Sequence, residues 1–471
     1  WKSRLMSQPE SILLAFYGDD FTGSTDALEF LSRAGAKTVL FLDHPTPELL
    51  SQFQGLDAIG IAGMTRSMSP FEMEQELRQA FQCIKELGTR HVHYKVCSTF
   101  DSSPEIGNIG TAIQLGTTIF NAKFTPVLVA APNLGRYSAF GHLFARMGIG
   151  SQGEIYRLDR HPSMSKHPIT PANESDLRMH LSKQIQQSMG LIDLIDLDKH
   201  SNEIKEKIDN EVVSGKTIIF FDAMYKSQMV KIGEVIDSYA SKNQSLFSVG
   251  SSGIEKALGD FWTQKGRLKP RDSWEKLSEC SPIVVLSGSV SPITASQIDW
   301  AFANGFEEIP VAVDVLKSDD LEASLIAQYQ ERIVHYLKKG KSVIMHTSMG
   351  PEDLRVVETK MFFEQKGWNE QMIRSQTAKR FGKILGQSAR GALNQFPVER
   401  LIIAGGDTSS YVARELGIVA VEMIAPVFIG APMCRAFAPN SPVDQIEVNL
   451  KGGQVGDETY FGALQKGRMT I

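Results

Sequence analysis

Two adjacent carboxylates, Asp19 and Asp20, stand where an apolar run stops abruptly, in Ser11-Ile-Leu-Leu-Ala-Phe-Tyr-Gly-Asp-Asp-Phe-Thr-Gly-Ser-Thr-Asp26. The run reads as a buried strand, Gly18 breaks it, and Thr22-Gly23-Ser24 opens an amphipathic helix expected to reach Ala34. Carboxylates, hydroxyls and unpaired helix amides thus fall at the C-terminal end of a first strand, where open α/β sheets bind ligands. Packing gains nothing from two neighbouring carboxylates. The string therefore reads as a site for a hydroxyl-rich ligand, a metal, or both, against the plainer reading of a solvated turn with Asp as helix N-cap.

A second polar strand end follows at Tyr94-Lys-Val-Cys-Ser-Thr-Phe-Asp-Ser-Ser-Pro-Glu-Ile-Gly-Asn-Ile-Gly110. Lys95, Ser98, Thr99, Asp101 and Ser102 offer a cation, hydroxyls and a carboxylate, a set suited to an acidic polyol. Arg66, after Thr65 at another strand end, is of the type that grips a carboxylate through two parallel N–H donors, although a lone arginine is more often a surface residue.

The second half carries a different chemistry. Leu401-Ile-Ile-Ala-Gly-Gly-Asp-Thr-Ser-Ser-Tyr-Val-Ala-Arg-Glu-Leu416 reads as strand, Gly-Gly turn and helix. Gly405 and Gly406 let backbone amides approach an anion, and the helix N-terminus adds a favourable dipole. Asp407 is placed to hold Mg²⁺ or to cap that helix, and Thr408 and Ser409 to meet phosphate oxygens. Val285-Leu-Ser-Gly-Ser-Val-Ser-Pro-Ile-Thr-Ala-Ser-Gln297 repeats the strand, turn and helix, with Pro292 near the helix start. Lys451-Gly-Gly-Gln-Val-Gly456 adds a glycine turn. Two glycine- and hydroxyl-rich strand ends with a glycine turn are what a nucleotide's phosphates require. Neither Gly-x-x-x-x-Gly-Lys-Ser/Thr nor Gly-x-Gly-x-x-Gly is present, so the site is of another kind.

The elements that must position these residues alternate between short β-branched runs and helical periods. Strands are expected at 12–16, 38–42, 58–62, 91–96, 127–131, 217–221 and 246–249, with helices at 71–87 and 107–120. Gln264-Lys-Gly-Arg-Leu-Lys-Pro-Arg-Asp-Ser-Trp274 is charged and poor in branched apolar residues, and it reads as a linker. Beyond it, strands are expected at 283–286, 309–313, 342–345 and 401–404, with helices at 293–304, 320–338 and 375–394. The expectation is two α/β domains, 1–263 and 275–471, with mostly parallel sheets facing each other across a cleft.

Other candidates read as structural. His161 and His167, each before proline, have a spacing that matches no common zinc pattern, so the segment reads as a stiff loop able to close over a ligand. His91 and His93 share one strand face. Ser248-Val-Gly-Ser-Ser-Gly-Ile-Glu-Lys256 lacks the spacing of a serine nucleophile elbow.

Composition narrows the class. The 471 residues, 42% hydrophobic and 22% charged, suit a globular protein of two or three domains. A formal charge of −5 leaves no basic footprint for nucleic acid. No apolar run approaches the roughly 18 residues that span a bilayer, and residues 1–9 lack the apolar core of a signal peptide. Four scattered cysteines without Cys-x-x-Cys spacing fit a reducing cytoplasm.

Taken together, Asp19-Asp20-Phe21-Thr22-Gly23, Tyr94-Lys95 with Ser98-Thr99, and Gly405-Gly406-Asp407-Thr408 resemble the signatures of the four-carbon acid sugar kinase family. The resemblance spans nearly the whole chain. It implies an N-terminal acid-sugar domain, a C-terminal nucleotide domain, and ATP and Mg²⁺ as cofactors. It places the acid sugar against Asp19, Asp20, Arg66, Lys95, Ser98 and Thr99. ATP phosphates would lie near Ser289, Gly405, Gly406, Asp407, Thr408, Gly452 and Gly453, with Asp407 in the Mg²⁺ shell. Asp20, or else Asp101, would accept the hydroxyl proton. A homodimer is compatible with it. One segment departs from the pattern: where many members carry Asp-Ser-Thr-Leu-Arg-Gly-Asn, this chain has the longer Cys97-Ser-Thr-Phe-Asp-Ser-Ser-Pro-Glu-Ile-Gly-Asn108, without the arginine. Branched acids such as 3-oxo-isoapionate therefore stand beside tetronates and 3-oxo-tetronates as substrates. The rival readings are a Mg²⁺-dependent phosphohydrolase of sugar-acid phosphates and a non-catalytic module sensing nucleotide or sugar acid.

Overall fold

The computed structural model describes residues 12–147, 152–167, 169–241, 244–316 and 318–469, apart from the side chains at 319, 371 and 407. The chain separates into two compact units, Trp1–Asp272 and Ser273–Ile471. Between the helix ending at Gln264 and the strand beginning at Val284, the described chain forms no helix or strand.

The first unit is built on β1 (Leu14–Gly18), β2 (Thr38–Phe41), β3 (Ala58–Ala62), β4 (His91–Lys95) and β5 (Thr125–Leu128). Three short strands follow, β6 (Arg136–Ala139), β7 (His142–Arg146) and β8 (Ile155–Arg157), and then β9 (Met189–Ile192), β10 (Ile218–Phe221) and β11 (Leu246–Gly250). The main sheet runs β2-β3-β1-β4-β11-β5-β10-β9, and every pairing in it is parallel. The strands β1 to β5, β10 and β11 are buried along their whole length, as expected when helices cover both faces of a parallel sheet. Around the sheet lies an apolar core that includes Tyr17, Phe81, Tyr94, Ile113 and Phe247. β6, β7 and β8 form a small antiparallel sheet of their own, which the sequence pattern did not announce.

Local signals account for the helices. Pro70–Leu87 starts with a capping box between Ser69 and Glu72 and ends on Gly88 in the left-handed conformation. Ile109–Phe120 is capped by Asn108. Chain growth reverses at β1, with β3 and β2 on one side and β4 on the other. Such a switch point opens a crevice beyond the strand ends.

The second unit contains β12 (Val284–Ser287), β13 (Glu307–Pro310), β14 (Val343–His346), β15 (Arg400–Ala404), β16 (Ala420–Phe428), β17 (Ala431–Phe437) and β18 (Glu447–Lys451). Its strands run in the order β13-β14-β12-β15-β18-β17-β16. The pairings from β13 through β18 are parallel, whereas β17 pairs antiparallel with both β18 and β16. The hairpin of β16 and β17 was absent from the sequence expectation. Its apolar first strand, Ala420-Val-Glu-Met-Ile-Ala-Pro-Val-Phe428, shows no strict two-residue alternation.

Candidate functional site

In the first unit, register brings the polar loops together. Gly18 aligns with Ala62 and with Lys95, Lys95 with Gly250, and Gly250 with Leu128. The loops that follow these residues therefore leave one edge of the sheet at the same level. Arg66 grips Asp19 through two donors, Nε to Oδ2 at 3.1 Å and Nη2 to Oδ1 at 2.7 Å, while its Nη1 stands 3.5 Å from Asp20 Oδ2. Asp20 also accepts from the Gly23 amide at 2.7 Å and from Thr22 Oγ1 at 3.2 Å. Lys95 Nζ forms an ion pair with Asp26 Oδ1 at 2.8 Å and donates to the Gly23 carbonyl at 2.6 Å. A Cβ on Gly23 would stand 2.9 Å from Asp20 Oδ2, 3.1 Å from Lys95 Nζ and 3.6 Å from Arg66 Nη2, so glycine is what lets these groups converge.

Charge follows from these contacts. Burial raises Asp19 above the usual carboxylate range despite the pull of Arg66. Burial acts on Asp20 in the same sense, yet Arg66, the Gly23 amide, Lys95 and Thr22 together hold it below that range. Lys95 is desolvated too, but Asp26 and Asp19 raise its pKa, so its ammonium persists at neutral pH.

The remaining residues expected here lie on the loop after β4. Ser98 and Thr99 are buried, and Thr99 Oγ1 lies 2.9 Å from Cys97 Sγ. Asp101 is half-buried and lines a narrow cleft with Ser102, Glu174 and His180. Burial and the Asp101 charge push the Cys97 thiol up to about 11, so it stays protonated. Two participants escaped the sequence reading. Asp26 closes the string that opened it, and Ser252 donates to Asp26 at 3.1 Å from the Gly-Ser-Ser-Gly turn. His91 and His93 are fully buried and bond Asp237 and Glu255, at 2.9 and 2.5 Å, as structural residues do. His161 accepts the amides of Ser163 and Met164 through Nδ1 and so braces its own loop.

In the second unit, β12, β15 and β18 lie side by side, and the turns after them crowd together. The Gly405 amide donates to the Lys451 carbonyl at 3.0 Å, and the Gly288 amide to the Ala404 carbonyl at 2.9 Å. Gly405 has a φ of +136°, and a Cβ there would come within 3.3 Å of the Ser289 nitrogen. A Cβ on Gly288 would collide with Thr408 at 2.3 Å, and one on Gly453 would stand 2.8 Å from Ser289 Oγ. Ser289, Gly405, Thr408 and Gly453 are thus neighbours. Gly406 is exposed with open space beside it, and Gly452 is half-buried. The helix Asp407–Glu415 has no side-chain N-cap, and in its first turn the Ser409 amide donates to the Gly406 carbonyl at 3.1 Å, so the positive end of its dipole faces the glycine turn without a capping side chain. Asp407 opens that helix, and its side chain lies outside the described residues. These features fit a nucleotide's phosphates.

Lys451 was missed, although it begins the Lys-Gly-Gly turn. It is fully buried, its Nζ stands 3.0 Å from Thr294 Oγ1, and Thr294 in turn donates to the Gly453 carbonyl at 2.9 Å. Burial lowers its pKa to about 7. Among the described residues it forms no ion pair, and no three His, Cys, Asp or Glu side chains stand together as a metal cage.

Comparison with known proteins agrees with this division. Residues 14–258 match a family model described as a sugar-binding N-terminal domain, and residues 284–461 match one described as a nucleotide-binding C-terminal domain. A 3-oxo-isoapionate kinase from Paraburkholderia graminis is 38% identical over 98% of this chain and 96% of its own. A 3-oxo-tetronate kinase from Pseudomonas savastanoi pv. phaseolicola is 26% identical over 96% of this chain and 97% of its own. A crystal structure from Salmonella typhimurium LT2 superposes with a TM-score of 0.74 at 25% identity, covering 97% of this chain and 99% of that one.

Proposed function

From the premise that the chain belongs to the four-carbon acid sugar kinase family, we propose that it is an ATP-dependent kinase that phosphorylates a hydroxyl of a small acid sugar. The observation that carries this reading is the pairing, within one chain, of two unlike strand edges. One presents Asp20, Arg66 and Lys95 around Gly23, and the other presents Gly288, Ser289, Gly405, Thr408 and Gly453 with a helix N-terminus free of any side-chain cap.

In this reading, Lys95, Ser98 and Thr99 bind the polyol, with Asp19 and Arg66 fixing the position of Asp20. Asp20 accepts a hydrogen bond from the reacting hydroxyl and orients it. Its low pKa suits that role, because a loose phosphoryl transfer asks for positioning and charge neutralisation more than for a strong base. Asp101 is the alternative acceptor, at the cleft on the same loop. The backbone at Ser289, Gly405, Gly406, Gly452 and Gly453 and the Thr408 hydroxyl hold the phosphates, and Asp407 joins the Mg²⁺ shell. When bound, Mg²⁺-ATP supplies the phosphoryl group and a countercharge for its oxygens.

Among acid sugars, a branched 3-oxo acid comes first. The relative at 38% identity carries the name 3-oxo-isoapionate kinase, and the 97–108 loop departs from the common family motif. The partners are then the acid sugar and the nucleotide. Among the described residues no helix is long and apolar enough to cross a membrane, and all four cysteines are free, so we assign the protein to the ATP-containing, reducing cytoplasm.

The test is ADP release with Mg²⁺-ATP against tetronates, 3-oxo-tetronates and 3-oxo-isoapionate. Turnover of one of these acids, lost in Asp20→Asn, is expected. Phosphate release from sugar-acid phosphates without nucleotide would favour the hydrolase instead, and binding of both ligands without turnover would favour the sensor.

A further inference from the structure

Arg66, the guanidinium singled out from the sequence, has its Nε and Nη2 edge engaged by Asp19. A second guanidinium in the same unit is in the opposite condition. Arg136 begins β6, just beyond the loop that leaves the C-terminal end of β5, and is 7% exposed. Its Nη1 donates to the carbonyls of Leu134, Gly135 and Arg146, at 3.1, 3.4 and 3.1 Å. Its Nε is buried without an acceptor, and among the described residues Nη2 makes no hydrogen bond and no carboxylate pairs with the side chain. The edge that grips carboxylates is therefore buried and unpartnered, while the other nitrogen is pinned by backbone.

A buried cation without a hydrogen-bonded anion is costly unless a ligand supplies one. The surroundings locate that ligand. Arg136 lies within reach of the Asp101 charge and near the Cys97 sulfur, and Cys97 in turn lies near Arg66 and Lys95. One loop thus links this guanidinium to the Asp20 cluster. Burial weakens the hold of Arg136 on its proton, and the negative charge of a ligand would restore it.

We propose that the Nε and Nη2 edge of Arg136 receives the carboxylate of the acid sugar, so that the substrate lies with its acid end at Arg136 and its reacting hydroxyl at Asp20. This rests on the acid sugar kinase reading.

The test compares each panel acid with its primary amide, in wild type, Arg136→Gln and Arg136→Lys, by ADP release, with ADP affinity as the check that the variants remain folded. Wild type should prefer the acid by about a hundredfold in kcat/KM, and Arg136→Gln should lose about that factor on the acid and little on the amide. Arg136→Lys keeps the charge without the fork and should fall between them. An undiminished acid-to-amide ratio in both variants would overturn the assignment while leaving the kinase reading intact. Failure of wild type on every acid would overturn both. Should neither variant fold, a crystal structure of the wild type with D-erythronate answers the same question. Carboxylate oxygens at hydrogen-bond distance from Arg136 Nε and Nη2 support the proposal, and a carboxylate bound elsewhere overturns it.

Discussion

Lys451 Nζ stands 3.0 Å from Thr294 Oγ1 in a fully buried setting, beneath the glycine turn whose Gly453 carbonyl the same threonine holds. Desolvation alone accounts for the lowering of its pKa from 10.5 to about 7. Between those values the unfolded chain binds the proton and the folded chain does not, so this residue makes stability rise with pH across that window. Below pH 7 both states are protonated and the burial cost is felt in full. Lys451→Met should therefore exceed wild type in thermal midpoint most at low pH, with the gap closing from pH 7 to 10. Scanning calorimetry of both proteins over that range checks it, and a gap constant with pH would contradict it.

The Asp19–Arg66 pair predicts a loss of a different kind. Asp19 is 3% exposed and Arg66 26%, so Arg66→Met leaves a buried carboxylate without its two donors. The expected cost is about 2 kcal/mol, below that of a wholly buried pair because water reaches Arg66. Denaturant unfolding should show a lowered midpoint, and Arg66→Lys should recover part of it.

Asp222 gives a pH dependence of opposite sign to that of Lys451. Burial lifts its pKa from 3.8 to about 6, against the lowering effects of the Gly141 amide and Ser138. The folded chain keeps that proton between the two values and the unfolded chain does not, so stability falls as pH rises through them. Asp222→Asn should be more stable than wild type above pH 6 and indistinguishable near pH 3.8. Thermal midpoints at several pH values decide it.

Gly288 tests the nucleotide edge alone. An alanine there would drive its Cβ to within 2.3 Å of Thr408 Cγ2 and displace the start of the helix Asp407–Glu415. ADP affinity should fall more than about tenfold, while D-erythronate binding keeps its wild-type value. Calorimetric titration of each ligand separates the two effects.

Much of the architecture was legible because local chemistry repeats it. The strands at 58–62 and 401–404 are apolar runs bounded by polar turns, and the helix starts at Ser69, Asn108 and Ser291 are marked by capping residues. The hairpin of β16 and β17 and the small sheet of β6, β7 and β8 were not, since their burial patterns depend on neighbours distant in the chain.

For the site, the order of residues along the chain already sets which types stand at the strand ends: Asp19 and Asp20 after Gly18, Lys95 at the end of β4, and Gly405 and Gly406 after Ala404. Alternation and turn chemistry are local and survive in one dimension. The tertiary structure alone decided which donor meets which acceptor. Arg66 and Asp19 are 47 residues apart, yet their fork is closed, whereas Arg136 Nε is buried without a partner near the loop of Asp101. Lys451 likewise looks like any lysine before two glycines until the fold removes the water around it. Burial and pairing arise only where parallel strands set distant loops side by side, because solvation and hydrogen bonding depend on distance in space and not along the chain.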